Sequence, residues 1–138
     1  MSELLDGNHA AKTVIRRLRF SVVVWIIIAS FQILIGLPLI LVGYGFSMIA
    51  CGGWNIYASI SRIKFINELK ENPQMIYPYY STRACLDHTL IFLGINLLFG
   101  GFIGVIASVY DLLIRHYVVT HAEELTIGLG MEDYYGEL

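Results

Sequence analysis

The chain has 138 residues, of which 57% are hydrophobic and 14% charged, and its formal net charge is -2. Soluble domains carry about 25% charged residues, so this composition excludes an ordinary soluble protein. It predicts an integral membrane protein whose first partner is the lipid bilayer. The nine Lys and Arg residues flank apolar segments and form no separate basic surface, which excludes nucleic acid as a partner.

The longest apolar run covers residues 20–61, 42 consecutive positions without Asp, Glu, Lys, Arg or His. As one helix it would be about 63 Å long, twice the thickness of a hydrocarbon core of about 30 Å. The run therefore predicts two membrane helices, over about 10–36 and 38–71, of which the second extends into the cytoplasm. We expect the reversal at Gly36-Leu37-Pro38, because Gly permits a turn and Pro can open the next helix.

The second predicted helix carries a face of small or weakly polar residues at every fourth position. These residues are Gly43, Ser47, Cys51, Asn55 and Ser59. Residues four apart lie on one side of a helix, and small residues let another membrane helix approach closely. The face therefore predicts helix packing, and its alternative role is to line a pore.

A third apolar segment predicts a helix over about 81–125. Its 22 uncharged residues from Thr89 to Tyr110 would be about 33 Å long, which suits one crossing. Its glycines include a GxxxG pattern that is typical of close helix contact. They are Gly94, Gly100, Gly101 and Gly104. The fold expected first is an all-α protein with three transmembrane helices in one polytopic membrane domain, residues 1–125.

A weak internal repeat supports an alternative with four helices in two tandem hairpins. A shift of 64 residues places Gln32 on Asn96 and Gly36 on Gly100 without a gap. Gly100 and Gly101 would then form a second hairpin tip. Three helices are preferred, because four would bring charged side chains into the bilayer, where each costs about 2.5 to 3.5 kcal/mol near the centre.

Those side chains are Asp87, His88, Asp111 and Arg115, which form a possible ion or charge-pair site. With three helices, Asp111 and Arg115 would make an i,i+4 ion pair at the membrane surface. With four helices, pairing Asp87 with Arg115 and Asp111 with His88 would offset the cost of burial, because each pair would lie at a similar depth.

The distribution of charge predicts the orientation. Residues 1–19 and residues 62–83 each contain four basic against two acidic residues, and Lys and Arg near the ends of spans favour the cytoplasmic side. We therefore expect a cytoplasmic N-terminus in a cell (inner) membrane. Expected headgroup contacts are Arg16, Arg17, Arg19, Tyr77, Tyr79 and Tyr80. The glycine-rich, acidic residues 126–138 predict a flexible tail.

Motifs for catalysis are lacking: the sequence contains no H-E-x-x-H, P-loop, G-x-S-x-G or C-x-x-C. We expect no enzymatic activity, no metal and no cofactor. The small-residue faces predict a protein that acts through helix–helix association. It would be an accessory or assembly subunit of a larger membrane complex, or a homo-oligomer. The alternative is a small oligomeric channel, transporter or holin-like pore-former.

Overall fold

The computed structural model of this protein describes residues 3–130, which are helical almost throughout and contain no strand. The helices are α1 (Glu3–Gly7), α2 (His9–Leu39), α3 (Gly45–Glu71), α4 (Ile76–Ser81), α5 (Arg83–Ile95), α6 (Phe102–Thr120) and α7 (Ala122–Thr126). Within the described residues, the segments long and apolar enough to cross a membrane are His9–Val42, Arg83–Gly100 and Phe102–Thr120. These findings confirm the predicted helical class and agree with a membrane protein.

Helix α2 begins at a side-chain cap and ends just after a proline. Asn8 Oδ1 accepts a hydrogen bond of 2.8 Å from the backbone N–H of Ala11, which satisfies one of the free donors at the helix start. The helix ends at Leu39, one residue after Pro38, and a 3₁₀ turn follows over Ile40–Val42. Gly43 then adopts a φ of 80°, a left-handed conformation that favours glycine.

The predicted reversal at Gly36-Leu37-Pro38 is wrong, because α2 continues through these residues and the chain turns at 40–44. Gly36 has another role, since it lies where α2 and α3 touch just before the turn. A Cβ built on Gly45 would lie 2.1 Å from the carbonyl oxygen of Gly36. Glycine is therefore required there for the close approach of two backbones.

The single helix predicted over 81–125 is also wrong, because the chain breaks at Gly101. Helix α5 runs into a π-helical turn, Asn96–Gly100, and α6 begins at Phe102. Gly101 has a φ of 77° and a ψ of 174°, which side chains with a Cβ rarely adopt. The break therefore lies at the position that the internal repeat predicts for a hairpin tip.

Helices α2 and α3 form one antiparallel hairpin, and α5 and α6 form a second. The tips of both hairpins lie at the same end of the molecule. In the second hairpin, Phe92 and Ala107 share a buried cluster with α2, and Asn96 packs against Gly104. The tips contact each other, because the Tyr44 hydroxyl donates a hydrogen bond of 3.2 Å to the Leu98 carbonyl. We call this end the tip end and the opposite end the packed end.

The packed end holds most of the buried side chains. They are Leu5, Ala10, Ala11, Val14, Ile15, Leu18, Val22, Ile66, Leu69, Ile76, Tyr77, Tyr80, Ile114, Val118 and Leu125. The tip end instead exposes large apolar side chains: Leu41 is 94% exposed and Phe102 82%. An apolar surface of this kind is stable against lipid and unfavourable in water.

Both ends of the described chain meet at the packed end. The Asn8 side-chain amide donates to the Glu124 carbonyl at 2.7 Å, and the Ala10 N–H donates to the Glu124 carboxylate at 2.8 Å. Of residues 126–130, which belong to the predicted flexible tail, Thr126 and Leu129 are buried, and the Leu129 carbonyl accepts a 2.9 Å hydrogen bond from Gln74. The rest of that tail, residues 131–138, lies outside the described residues.

Candidate functional site

Three buried amide side chains from three helices meet beside the tip of the second hairpin. We call Gln32, Asn55 and Asn96 the amide cluster. Asn55 Nδ2 donates to Gln32 Oε1 at 2.8 Å and to Asn96 Oδ1 at 2.9 Å. Gln32 Nε2 donates to the Gly100 carbonyl at 2.9 Å. The cluster thus links α2, α3 and the end of α5.

The amide cluster satisfies the backbone where the helix breaks. Buried backbone N–H and C=O groups that a helix does not pair need partners elsewhere in the protein. Gln32 provides the donor for Gly100, and Asn96 Nδ2 donates to the Phe92 carbonyl at 3.0 Å. Gln32 and Asn96 are also the residues that the 64-residue shift superposes, so the equivalent positions of the two repeats contact each other.

The predicted GxxxG glycines pack against this cluster, inside the chain. A Cβ built on Gly100 would lie 2.4 Å from Gln32 Nε2, and one on Gly104 would lie 2.5 Å from Asn96 Oδ1. Gly94, in contrast, has no atom within 4 Å of a built Cβ. Two of the predicted packing glycines therefore serve contacts between the chain's own helices.

The predicted small-residue face of α3 is divided between the interior and the surface. Cys51, Asn55 and Ser59 are buried, whereas Ser47 is half-buried and Gly43 lies in the exposed turn of the first hairpin. The Cys51 thiol lies 3.5 Å from Asn96 Oδ1 and so borders the amide cluster. The row thus faces the rest of the chain over its last three members.

An ion pair joins the two hairpins nearer the packed end. Arg62 Nη1 lies 3.0 and 2.9 Å from the two carboxylate oxygens of Asp111. The Ser21 hydroxyl and the Trp25 indole N–H, both from α2, donate to the same carboxylate. The side chains of Arg62 and Asp111 are only 25% and 12% exposed. Asp111 is therefore held by donors from two helices of the other hairpin.

The predicted pairs of charged residues do not form within the described chain. Asp111 binds Arg62 rather than Arg115 or His88, because the break at Gly101 turns it toward the first hairpin. Asp87 lies 4.0 Å from Arg83 on the surface. The Arg115 Nε is buried without a hydrogen-bond partner among the described residues.

A cavity of about 370 Å³ lies between α3 and α5 beside this ion pair. Arg62 and Asp111 are its charged lining residues, and His88 also lines it. Its other polar and aromatic lining residues are Trp54, Tyr57, Ser61, Phe65, Tyr79, Tyr80, Cys85, Thr89 and Phe92. Trp54 and Tyr57 are also exposed on the outside of the molecule, so the cavity reaches the surface between the two helices.

The residues predicted to contact headgroups separate into exposed and buried ones. Arg16, Arg19 and Tyr79 are exposed, and Arg17 is stacked 4.1 Å above the Tyr117 ring. Tyr77 and Tyr80 belong to the buried core of the packed end. Burial raises the pKa of Tyr80 far above its ordinary value. Its phenol is therefore a neutral donor on the cavity wall.

Sequence reasoning missed Gln32, Ser21, Trp25 and Arg62 as members of these sites. The sequence could have indicated Gln32, because it is a polar amide inside a long apolar run and matches Asn96 in the repeat. It could not have indicated Ser21 and Trp25, since their role depends on where Asp111 lies in space. The part of the chain that the structure describes contains no group of three His, Cys, Asp or Glu able to hold a metal ion.

Comparisons with known proteins give no assignment: no family model, no curated protein and no solved structure matches this chain.

Proposed function

We propose that this chain is a small multi-pass membrane protein that enters the bilayer from one side as two hairpins and acts through helix–helix association. The contact between Asn8 and Glu124 supports entry from one side. Two residues that touch outside the bilayer must be separated by an even number of crossings. This arrangement keeps the two tandem hairpins of the four-helix alternative.

The lengths of the uncharged segments support different depths for the two hairpins. The uncharged part of α2, from Phe20 to Leu39, is about 29 Å long and matches the hydrocarbon core. From Thr89 to Gly100 the second hairpin descends only about 17 Å. Gln32, which binds Gly100, lies about 18 Å along α2 from Phe20. In this proposal the first hairpin crosses the bilayer and the second reaches only about its middle.

The charges of the packed end support the orientation. Arg16 and Arg19 of α2, Lys64 of α3 and Arg83 of α5 are exposed, and in an antiparallel arrangement all four lie toward that end. Positive charge next to spans favours the cytoplasmic side. We therefore place the packed end in the cytoplasm and the protein in the cell (inner) membrane.

Association is supported mainly by an exposed line of residues on α3, which we call the seam. Its members recur at alternating intervals of four and three residues. They are Phe46, Ala50, Gly53, Tyr57, Ile60 and Lys64, all exposed. This spacing is that of the contact line of packed helix pairs. At its centre Gly53 has no atom within 4 Å of a built Cβ, so a second helix can approach closely there.

The small residues at the centre of this seam favour a protein helix against it. Helix α3 pairs with α2 along the first hairpin and is not among the segments apolar enough to cross a membrane alone. The partner is a second copy of this chain or a subunit of a larger membrane complex.

Substitution of Gly53 tests association, because the residue is exposed and its backbone is unstrained. Gly53→Leu should abolish self-association in size measurements of the detergent-solubilised protein, or co-purification of a membrane partner. Gly53→Ala should retain it. Gly94→Leu, which adds the same bulk where there is equal free space on α5, is the matched control. If Gly53→Leu changes neither assembly nor co-purification, association through the seam is wrong.

Topology is tested separately with single cysteines at Asp6 and Glu123, in a chain whose Cys51 and Cys85 are replaced by Ala. Both positions should react with a membrane-impermeant maleimide from the same side of sealed vesicles. Reaction from opposite sides would contradict entry from one side, whatever the outcome for Gly53.

A further inference from the structure

We propose that the cavity between α3 and α5 binds the headgroup of an anionic glycerophospholipid. This inference does not depend on association through the α3 seam, because a monomer contains the whole cavity. Cavities of a few hundred Å³ with aromatic walls and few polar groups are typical of small-molecule sites. What distinguishes this one is an unpaired positive charge next to it and its depth.

One positive charge next to the cavity is not neutralised within the described residues. Arg62 and Asp111 line the cavity and neutralise each other, and Arg115, which is not itself a lining residue, directly follows the lining residue Ile114 on α6. Arg115 has no acidic partner among residues 3–130, and its Nε is buried without a hydrogen bond to any of them. One anionic group would therefore balance the local charge.

Donors are available for a phosphodiester. All the hydrogen bonds of Arg62 within the described chain involve Nη1, so Nε and Nη2 have no partner there. The Tyr80 hydroxyl makes no hydrogen bond with a described residue, and His88 lines the same space. A guanidinium binds phosphate oxygens through two parallel N–H groups, which a single amine cannot do.

The depth of the cavity fits a lipid headgroup. Arg62 directly follows the uncharged run of residues 20–61, and Asp111 directly follows the run from Thr89 to Tyr110. The cavity therefore lies where the hydrocarbon core ends and headgroups begin. From Arg62 the cavity extends toward the tip end, where Trp54 and Tyr57 line it. Acyl chains would leave past Trp54, which is not a seam residue, along the exposed apolar surface toward the tip end.

The test uses the full chain, purified in detergent and stripped of lipid. Binding of dioleoylphosphatidylglycerol, dioleoylphosphatidylcholine and glycerol 3-phosphate is measured by native mass spectrometry and by thermal stabilisation. We expect the anionic lipid to bind at least tenfold more tightly than the zwitterionic one, and glycerol 3-phosphate not to stabilise at millimolar concentration. Equal affinity for both lipids would overturn the proposal. Equal stabilisation by glycerol 3-phosphate would also overturn it, in favour of a site for a soluble anion.

Variants distinguish lipid binding in the cavity from lipid attraction to the basic surface. Arg115→Gln should lower the affinity for phosphatidylglycerol at least tenfold without lowering the unfolding temperature, because its Nε has no partner to lose. Ser61→Phe should fill the cavity and remove binding of both lipids, whereas Ser30→Phe on the exposed side of α2 should change nothing. Neutralising Arg16 and Arg19 should preserve the lipid preference.

The reverse pattern, in which Arg16 and Arg19 matter and Arg115 does not, would assign the preference to surface attraction and refute the cavity site. If Ser61→Phe does not fold, the comparison of Arg115→Gln with the Arg16 and Arg19 variant still decides between the two.

Discussion

Breaking the ion pair between Arg62 and Asp111 should destabilise the protein far more than breaking its exposed counterpart. Replacing Asp111 with Asn keeps the shape of the side chain and removes its charge. The Arg62 guanidinium would then remain largely buried between the hairpins with no opposite charge. The resulting loss of stability measures how strongly the second hairpin is held against the first.

The size of the effect follows from burial. Removing one partner of a buried ion pair costs about 3 to 5 kcal/mol. Because Arg62 is 25% and Asp111 12% exposed, water still solvates part of the unpaired guanidinium. We therefore expect a loss of about 3 kcal/mol for Asp111→Asn, at the lower end of this range. A double-mutant cycle with Arg62→Met should give a coupling energy of about 2 kcal/mol.

A matched control exists on the surface of α5. Arg83 and Asp87 lie 4.0 Å apart with side chains 92% and 57% exposed, and such pairs contribute about 0.5 kcal/mol or less. Both cycles are measured by unfolding in mixed micelles with increasing sodium dodecyl sulfate, followed by circular dichroism and without added phospholipid. A coupling energy for Arg62 and Asp111 no larger than that of the surface pair would refute this account of how the hairpins are joined.

Three further predictions concern the amide cluster. Gly104→Ala should lower the free energy of unfolding by about 1 to 3 kcal/mol through overpacking against Asn96, whereas Gly94→Ala, with free space, should be neutral or stabilising in the same assay. Asn96→Leu should cost about 1 to 3 kcal/mol because it leaves buried amide groups unpaired, and an unchanged stability would show that the cluster does not hold the tip. Cys51, only 5% exposed, should not react with an impermeant maleimide until the protein is unfolded; rapid labelling in membranes would instead favour a water-filled path.

The sequence was sufficient for the class of protein and for the first hairpin. Hydropathy, length and the position of charges are properties of the chain itself, and 42 uncharged residues are too long for one crossing. The glycines of the second tip were also visible in the repeat. Whether this segment forms one straight helix or a hairpin was not visible in the sequence. The cost of burying Asp111 favoured one straight helix, because its partner Arg62 was not known.

Only the tertiary structure decided the partners. Asp111 is stabilised by Arg62, 49 residues earlier, and by Ser21 and Trp25, and Gln32 binds a carbonyl 68 residues later. Such contacts depend on the rotation of each helix about its own axis and on the depth at which the two hairpins meet. A linear pattern specifies which face of a helix is polar, but which other face it meets is determined by packing in three dimensions.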